Sequence, residues 1–232
     1  MTAILVVRAE QFIVVAAESA VVDETGKSLT PECKIRRVGN IFYSVNKLTQ
    51  DTYSGYDLHQ IVANNDKYGS VHALAAALKT AIPGPLLRSL AALKQRDPAT
   101  FKAYFATKHV VGIFLAGVDR SRPCLVDLEF NIEDPDSKEI RLIVVERLCP
   151  GPQCPGRCTD HPLIVRGSLK RKFEAEHPNC WSGNAEEVAK KAEALIQMVI
   201  DEKGSNDVGP PISVLVIRPN GFEWVKRGMC KI

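Results

Sequence analysis

Two short apolar runs separated by a polar joint open the chain. Residues 3–7 and 12–17 are rich in valine, isoleucine and alanine, and residues 8–11 between them are mostly polar. Both runs are too short for independent helices, so the pattern predicts an antiparallel hairpin. Because the runs are apolar almost throughout, both faces of this hairpin are expected to be covered.

A second hairpin and a helical region follow. Residues 34–38 and 41–45 predict two strands, with Gly39 and Asn40 as turn residues. Between residues 57 and 108 the spacing becomes helical and indicates at least two helices, divided by a Pro-Gly-Pro break. The apolar positions at this spacing are Val71, Leu74, Ala75, Leu78, Leu86, Leu87, Leu90 and Leu93.

The second half of the chain predicts more strands and one long helix. Asn184 is a candidate N-cap, Glu187 completes a capping box with it, and Gly204 is expected to end the helix. Strands are predicted over residues 109–116, 124–130, 140–145, 212–217 and 222–225.

This order of elements predicts the fold class. Hairpin-linked strands with helices in separate blocks indicate an α+β fold of antiparallel sheets covered by helices, rather than the strand-helix alternation of a doubly wound parallel sheet. The chain has no internal repeat and no low-complexity linker, so residues 1–232 are interpreted as a single domain.

Composition excludes several classes. The 30 basic and 27 acidic residues are spread along the chain, which gives a net charge of +3 and no argument for a nucleic-acid partner. The chain lacks a long apolar run and a signal-like N-terminus, so we expect a cytoplasmic protein without a membrane partner. The odd number of cysteines, 7, in such a chain favours reduced thiols over a disulfide framework.

Three stretches carry a family resemblance. Residues 2–7 and 12–19 are similar to the opening hairpin of the proteasome-type N-terminal-nucleophile hydrolases, residues 111–119 with 124–128 resemble that family's central strands, and residues 208–217 resemble its terminal strands. The resemblance implies a four-layer αββα sandwich. It also implies an N-terminal threonine nucleophile.

Thr2, Glu18 and Lys34 follow one another at equal intervals of sixteen positions. The family uses a threonine, an acidic residue and a lysine at these intervals, so the resemblance implies that these three residues are catalytic. Ser168 lies where the family has a serine that supports the α-amine. Removal of Met1 would free the Thr2 amine, whose reference pKa of roughly 7.7–8.0 suits a general base near neutral pH.

Other positions depart from the family pattern. Lys47 stands where the family has a glycine whose backbone N–H stabilises the oxyanion, Glu18 replaces an aspartate, and residues 205–210 lack the family's serine and one of its glycines. These departures leave open a catalytically inactive scaffold or binding subunit. Thr2 is then only the second residue of a chain that keeps Met1, and Glu18 and Lys34 form an ordinary exposed pair.

We prefer the enzyme, a threonine-type amidohydrolase or peptidase. The resemblance implies that its partners are copies of itself, arranged in a ring or stack, and that its substrate is a peptide or another amide. The hydrolase mechanism requires no cofactor.

A loop insertion at about residues 148–162 lies outside the resemblance. Cys149, Cys154, Cys158 and His161 fall within thirteen residues there and offer a chemically suitable set of zinc ligands. Their spacing fits no standard zinc pattern, so a loop with reduced thiols or a local disulfide is favoured over metal.

Overall fold

The structure is a computed structural model that describes residues 3–20, 30–151, 181, 183–202 and 208–230, together with the strand backbone of 163–166. It is a mixed α+β fold with antiparallel sheets, as the order of elements predicts. Among the described residues, none of the helices combines the length and apolarity needed to cross a lipid bilayer.

The strands and helices are numbered in chain order. The strands are β1 (Ile4–Arg8), β2 (Ile13–Ala17), β3 (Arg36–Val38), β4 (Ile41–Lys47), β5 (Gln50–Asp51), β6 (Tyr56–Asp57), β7 (His109–Asp119), β8 (Arg122–Ile132), β9 (Leu142–Cys149), β10 (Leu163–Arg166), β11 (Ser213–Arg218) and β12 (Gly221–Lys226). The helices are α1 (Leu58–Ala63), α2 (Val71–Ala81), α3 (Pro83–Arg96), α4 (Pro98–Tyr104) and α5 (Ala185–Asp201).

Two five-stranded antiparallel sheets dominate the fold. The first sheet has the strand order β10-β1-β2-β11-β12, and the second has the order β3-β4-β7-β8-β9. β5 and β6 form a separate two-stranded ribbon, which the sequence pattern did not predict because each strand is only two residues long.

The first hairpin is confirmed. β1 and β2 pair antiparallel in a register that places Ile4 opposite Ala17, and every residue in both strands is buried. Side chains in a strand alternate between its two faces. Val6 therefore packs in the core shared with the second sheet, and Leu5 packs in the core beneath α5.

Three clusters of buried residues explain the apolar runs. One contains side chains of both large sheets, including Val15 of the first sheet and Phe114 of the second. Another joins the opposite face of the first sheet to α5, and the third joins the opposite face of the second sheet to α1–α4. Each large sheet is therefore covered by apolar contacts on both faces, as the near-continuous apolar runs indicated.

The predicted capping box of α5 is confirmed. The Asn184 side chain accepts the Glu187 backbone N–H at 3.0 Å, and the Glu187 carboxylate accepts the Asn184 N–H at 3.2 Å. The last helical residue is Asp201, and the expected C-terminal Gly204 lies outside the described residues.

The helical region also follows the prediction. The four predicted apolar positions of α2 are its buried residues. α3 begins at Pro83, where a proline costs no intrahelical hydrogen bond, so the Pro-Gly-Pro segment starts a helix as well as dividing two.

Candidate active site at the start of the first strand

Glu18 follows the last residue of β2 and lies beside the start of β1. The hairpin register brings these two strand ends together. The Ala3 backbone N–H donates to Glu18 Oε1, and the Glu18 N–H donates to the Ala3 carbonyl oxygen, each at 3.2 Å. Both the main chain and the side chain of Glu18 are thus fixed to the residue that follows Thr2.

The Glu18 carboxylate is completely buried and is supplied with donors. Its Oε2 accepts backbone N–H groups from Ala20 at 2.6 Å and from Gly209 at 3.4 Å. An ionised carboxylate away from water needs such partners, because its desolvation is otherwise unfavourable by several kcal/mol. The site therefore includes the segment before β11 as well as the first hairpin.

Lys34 forms an ion pair with Glu18. Only 12% of the Lys34 side chain is exposed, against 0% for Glu18. Burial lowers the pKa of Lys34, and the Glu18 charge opposes this change. The alternative of an ordinary exposed pair is wrong, because neither of the two side chains is exposed.

Ser19 is a buried neighbour of this pair. Its backbone N–H donates to the Gly209 carbonyl oxygen at 3.3 Å, and its own carbonyl accepts the Glu32 N–H at 2.8 Å. Within the described part of the chain, Ser19 Oγ has no hydrogen-bond partner. No sequence signal indicates this, since burial of a serine after a strand depends on the distant segment around Gly209.

Lys47 ends β4 in a conformation that favours glycine. Its φ is 66°, in the left-handed region that side chains rarely adopt. Its ammonium donates to Thr107 Oγ1 at 2.8 Å and to the His109 carbonyl oxygen at 3.0 Å. The backbone therefore has a glycine-like turn at the position where the family resemblance expects a glycine, although the residue is lysine.

Five of the predicted site residues lie outside the described residues. They are Thr2, Ser168, Cys154, Cys158 and His161. The catalytic roles of Thr2 and Ser168 and the zinc-binding role of the other three residues therefore stay predictions.

Cys149 ends β9 and is disulfide-bonded. A sulfur in a disulfide has no thiolate to offer a metal, so the zinc hypothesis for the loop insertion requires this cysteine in its reduced form. The zinc hypothesis therefore stays a prediction.

A disulfide joins Cys33 to Cys230, and the expectation of reduced thiols is wrong for these two residues, as it is for Cys149. They are 197 positions apart, and their Cα atoms lie 4.6 Å from each other. The fold brings the residue directly before Lys34 against the end of the described chain, which a count of cysteines cannot reveal. The bridge therefore tethers the segment that carries the buried lysine.

Comparison with known proteins returns no match of this chain to a family model or to a curated sequence. The chemical interpretation of the site rests on the geometry of the Ala3, Glu18 and Lys34 contacts.

Proposed function

We propose that this protein is a threonine-type N-terminal-nucleophile hydrolase of amide or peptide bonds, with Thr2 as nucleophile after removal of Met1. The observation that supports this proposal is the contact between the Ala3 N–H and the buried Glu18–Lys34 pair. The nitrogen of Ala3 is covalently bonded to the carbonyl carbon of Thr2. The proposed nucleophile is therefore the residue bonded to the nitrogen that contacts Glu18.

The charges of the pair suit this chemistry. A buried ammonium close to a threonine hydroxyl favours the ionised form of that hydroxyl and disfavours protonation of a nearby amine. Glu18 keeps Lys34 charged and fixes its direction, since the carboxylate is itself held by three backbone N–H groups. Lys34 acts as an electrostatic stabiliser, and Glu18 acts as a positioning residue.

The proposed reaction has two halves. Thr2 Oγ1 attacks the substrate carbonyl carbon, its proton passes to the Thr2 α-amine, and that proton then leaves with the amine product. The resulting ester is hydrolysed by water, which restores the threonine. Ser168 would support the α-amine, and the backbone N–H of Lys47 would stabilise the oxyanion.

The architecture supports the same proposal at a coarser level. Two antiparallel sheets share one apolar core, and each has a second core with helices. We interpret this arrangement as the four-layer αββα sandwich of the proteasome-type hydrolases. In this proposal the chain assembles with copies of itself, and the substrate is a peptide.

A second candidate is an inactive scaffold subunit of the same architecture. The observation that favours it is Lys47, which stands where the family has a glycine and whose ammonium is held by Thr107 Oγ1 at 2.8 Å and the His109 carbonyl oxygen at 3.0 Å. A side chain at this position occupies space that the glycine of the family leaves open. The scaffold keeps the Glu18–Lys34 pair for stability alone.

Covalent labelling separates the two candidates. A peptide electrophile that captures N-terminal threonines should modify the purified protein at Thr2, and Thr2→Ala should abolish the modification. Lys34→Met should slow labelling, while Lys102→Met, a change at an exposed lysine, should leave the rate unchanged. A folded protein with a free Thr2 amine that is neither labelled nor active on peptides supports the scaffold instead.

A further inference from the structure

Three donor side chains of different chemistry meet where the start of α2 lies on the turn end of the β7–β8 hairpin. Asp119 ends β7, Cys124 lies in β8 opposite Gly117, and His72 is the second residue of α2. Gly117 permits the approach of α2, because a Cβ at this position would lie 2.9 Å from Val71 Cγ2. The first turn of α2 therefore rests directly on the β7–β8 hairpin.

The donor atoms of these residues are within 4.8 Å of one another. His72 Nδ1 lies 2.7 Å from Asp119 Oδ2, and Cys124 Sγ lies 3.6 Å from His72 Nδ1 and 3.9 Å from Nε2. Asp119 Oδ1 accepts the Val71 N–H at 3.0 Å, which fixes the carboxylate against the start of α2. The cluster is thus held by three separate elements before any ligand is considered.

We propose that His72, Asp119 and Cys124 bind a zinc-class divalent cation, with the fourth coordination position open to solvent. Zinc takes nitrogen, oxygen and sulfur ligands at roughly 2.0–2.3 Å in tetrahedral geometry, which separates the ligand atoms from one another by roughly 3.2–3.8 Å. The observed sulfur–nitrogen distance already falls in this range. The His72 Nδ1–Asp119 Oδ2 contact, at 2.7 Å, needs to lengthen by roughly 0.5 Å or slightly more to reach the same range.

The exposure of the three side chains fits a metal site that is open to solvent on one side. The His72 side chain is 52% exposed, the Asp119 side chain is 14% exposed, and Cys124 is buried. An incoming ion reaches the cluster from the histidine side, and water fills the remaining position. The buried thiol and the fixed carboxylate then form the inner wall of the site.

The charges also balance. A carboxylate and a thiolate neutralise the two positive charges of the ion, and a neutral imidazole completes the set. Burial raises the pKa of Cys124 to about 12, so the metal must displace the thiol proton, which passes to solvent. Arg8, which donates its Nε–H to the Pro123 carbonyl oxygen at 3.0 Å, also favours the anionic sulfur.

This site is separate from the candidate hydrolase centre. Arg8 ends β1 near Cys124, whereas Ala3 precedes the other end of the same strand. Five strand residues span roughly 16 Å. The metal therefore takes no part in the proposed peptide chemistry and instead links α2 to the β7–β8 hairpin, so this inference does not rest on the proposed function.

Cobalt titration of the full chain tests the site. Cobalt(II) bound by a cysteine thiolate gives a ligand-to-metal charge-transfer band, and wild-type protein should develop this band at one equivalent. Cys124→Ser should abolish the band, and His72→Gln should weaken cobalt binding by at least about tenfold, the lower end of the loss seen when even supporting residues around a metal are removed. Far-ultraviolet circular dichroism confirms that each variant is folded.

The matched control is the loop insertion, which also carries cysteines. Cys154→Ser with Cys158→Ser should leave the band unchanged. A band that persists in Cys124→Ser and disappears in the loop variant would overturn the proposal in favour of the loop. Absence of any band in wild-type protein would overturn it outright.

Thermal unfolding gives a second readout. Zinc should raise the Tm of the wild type in a concentration-dependent manner, because a ligand that binds only the folded state stabilises it. The increase should be lost in Cys124→Ser and retained in the loop variant. An equal increase in all three proteins would contradict the assignment.

Discussion

Ala3 and Glu18 are joined by two hydrogen bonds of equal length, one through the Glu18 side chain and one through its main chain. The Glu18 carboxylate is also paired with Lys34, and the residue before Ala3 is a threonine. The two bonds hold Ala3 in place beside Glu18, and the nucleophile of our proposal is bonded to the Ala3 nitrogen.

The buried pair should contribute strongly to stability. Glu18→Gln leaves the Lys34 ammonium with reduced compensation in a buried site, and the free energy of unfolding should fall by about 3 kcal/mol. Adding Lys34→Met should restore part of this loss, because the uncompensated charge is removed. Denaturant unfolding of both single variants and the double variant measures the coupling.

The control for this cycle is Lys102→Met, which removes an exposed ion pair with Asp136 at 2.8 Å. It should cause no measurable change. If Glu18→Gln is as harmless as Lys102→Met, the pair is not buried in solution and the site loses its basis.

The disulfide between Cys33 and Cys230 should stabilise the fold by restricting the unfolded chain. Its loss should lower the free energy of unfolding by about 2–5 kcal/mol. Cys33→Ser, Cys230→Ser and the double variant should lose similar amounts, since each breaks the same bond. Losses that simply add in the double variant would mean that the two sulfurs are not joined.

Elements with a local signal were predictable from the sequence. The β1–β2 hairpin follows from two apolar runs and a polar joint, and the start of α5 follows from the Asn184–Glu187 capping box. Burial of α2 followed from the spacing of its apolar residues, because helical periodicity records which face is covered. Such patterns depend on neighbours within a few positions.

Contacts between distant segments were not predictable in the same way. Cys33 and Cys230 are 197 positions apart. His72 approaches Asp119 and Cys124 only because Gly117 lets α2 rest on β7.

Glu18 and Lys34 were paired through family spacing, but spacing could not indicate that the pair is buried. Burial depends on the segment around Gly209, which comes from the far end of the chain.

His59 should make stability depend on pH. Burial, aided by the charge of Arg36 and opposed by Asp57, lowers the pKa of His59 to about 4. In addition, Tyr43 Oη lies 3.3 Å from His59 Nδ1, which accepts a hydrogen bond only when it is unprotonated. Between about pH 6.5 and 4 the unfolded chain binds the proton more readily than the folded chain, so stability falls as pH falls through this window, by up to about 3 kcal/mol.

His59→Asn offers the matched comparison, because its side-chain oxygen replaces Nδ1 and does not titrate. Unfolding free energies of both proteins across this pH range should differ in slope, with the wild type steeper. Identical slopes would show that His59 is not buried as described.

Gly117 should be intolerant of a larger side chain. Gly117→Ala places a methyl group 2.9 Å from Val71 Cγ2, and the overlap should lower the free energy of unfolding by about 1–3 kcal/mol. Val71→Ala in the same protein should reduce the effect of the added methyl group. The control is Gly69→Ala, where an added Cβ meets nothing within 4 Å. If Gly69→Ala lowers the free energy of unfolding as much as Gly117→Ala does, the close packing of α2 on β7 is contradicted.

The most direct test of the proposed hydrolase is the identity of the first residue of the mature protein. Intact-mass measurement with N-terminal sequencing should find a chain that begins at Thr2 with a free α-amine. A mature protein whose Thr2 is preceded by Met1, or whose Thr2 amine is blocked, would have no terminal base for its nucleophile and would contradict the hydrolase proposal.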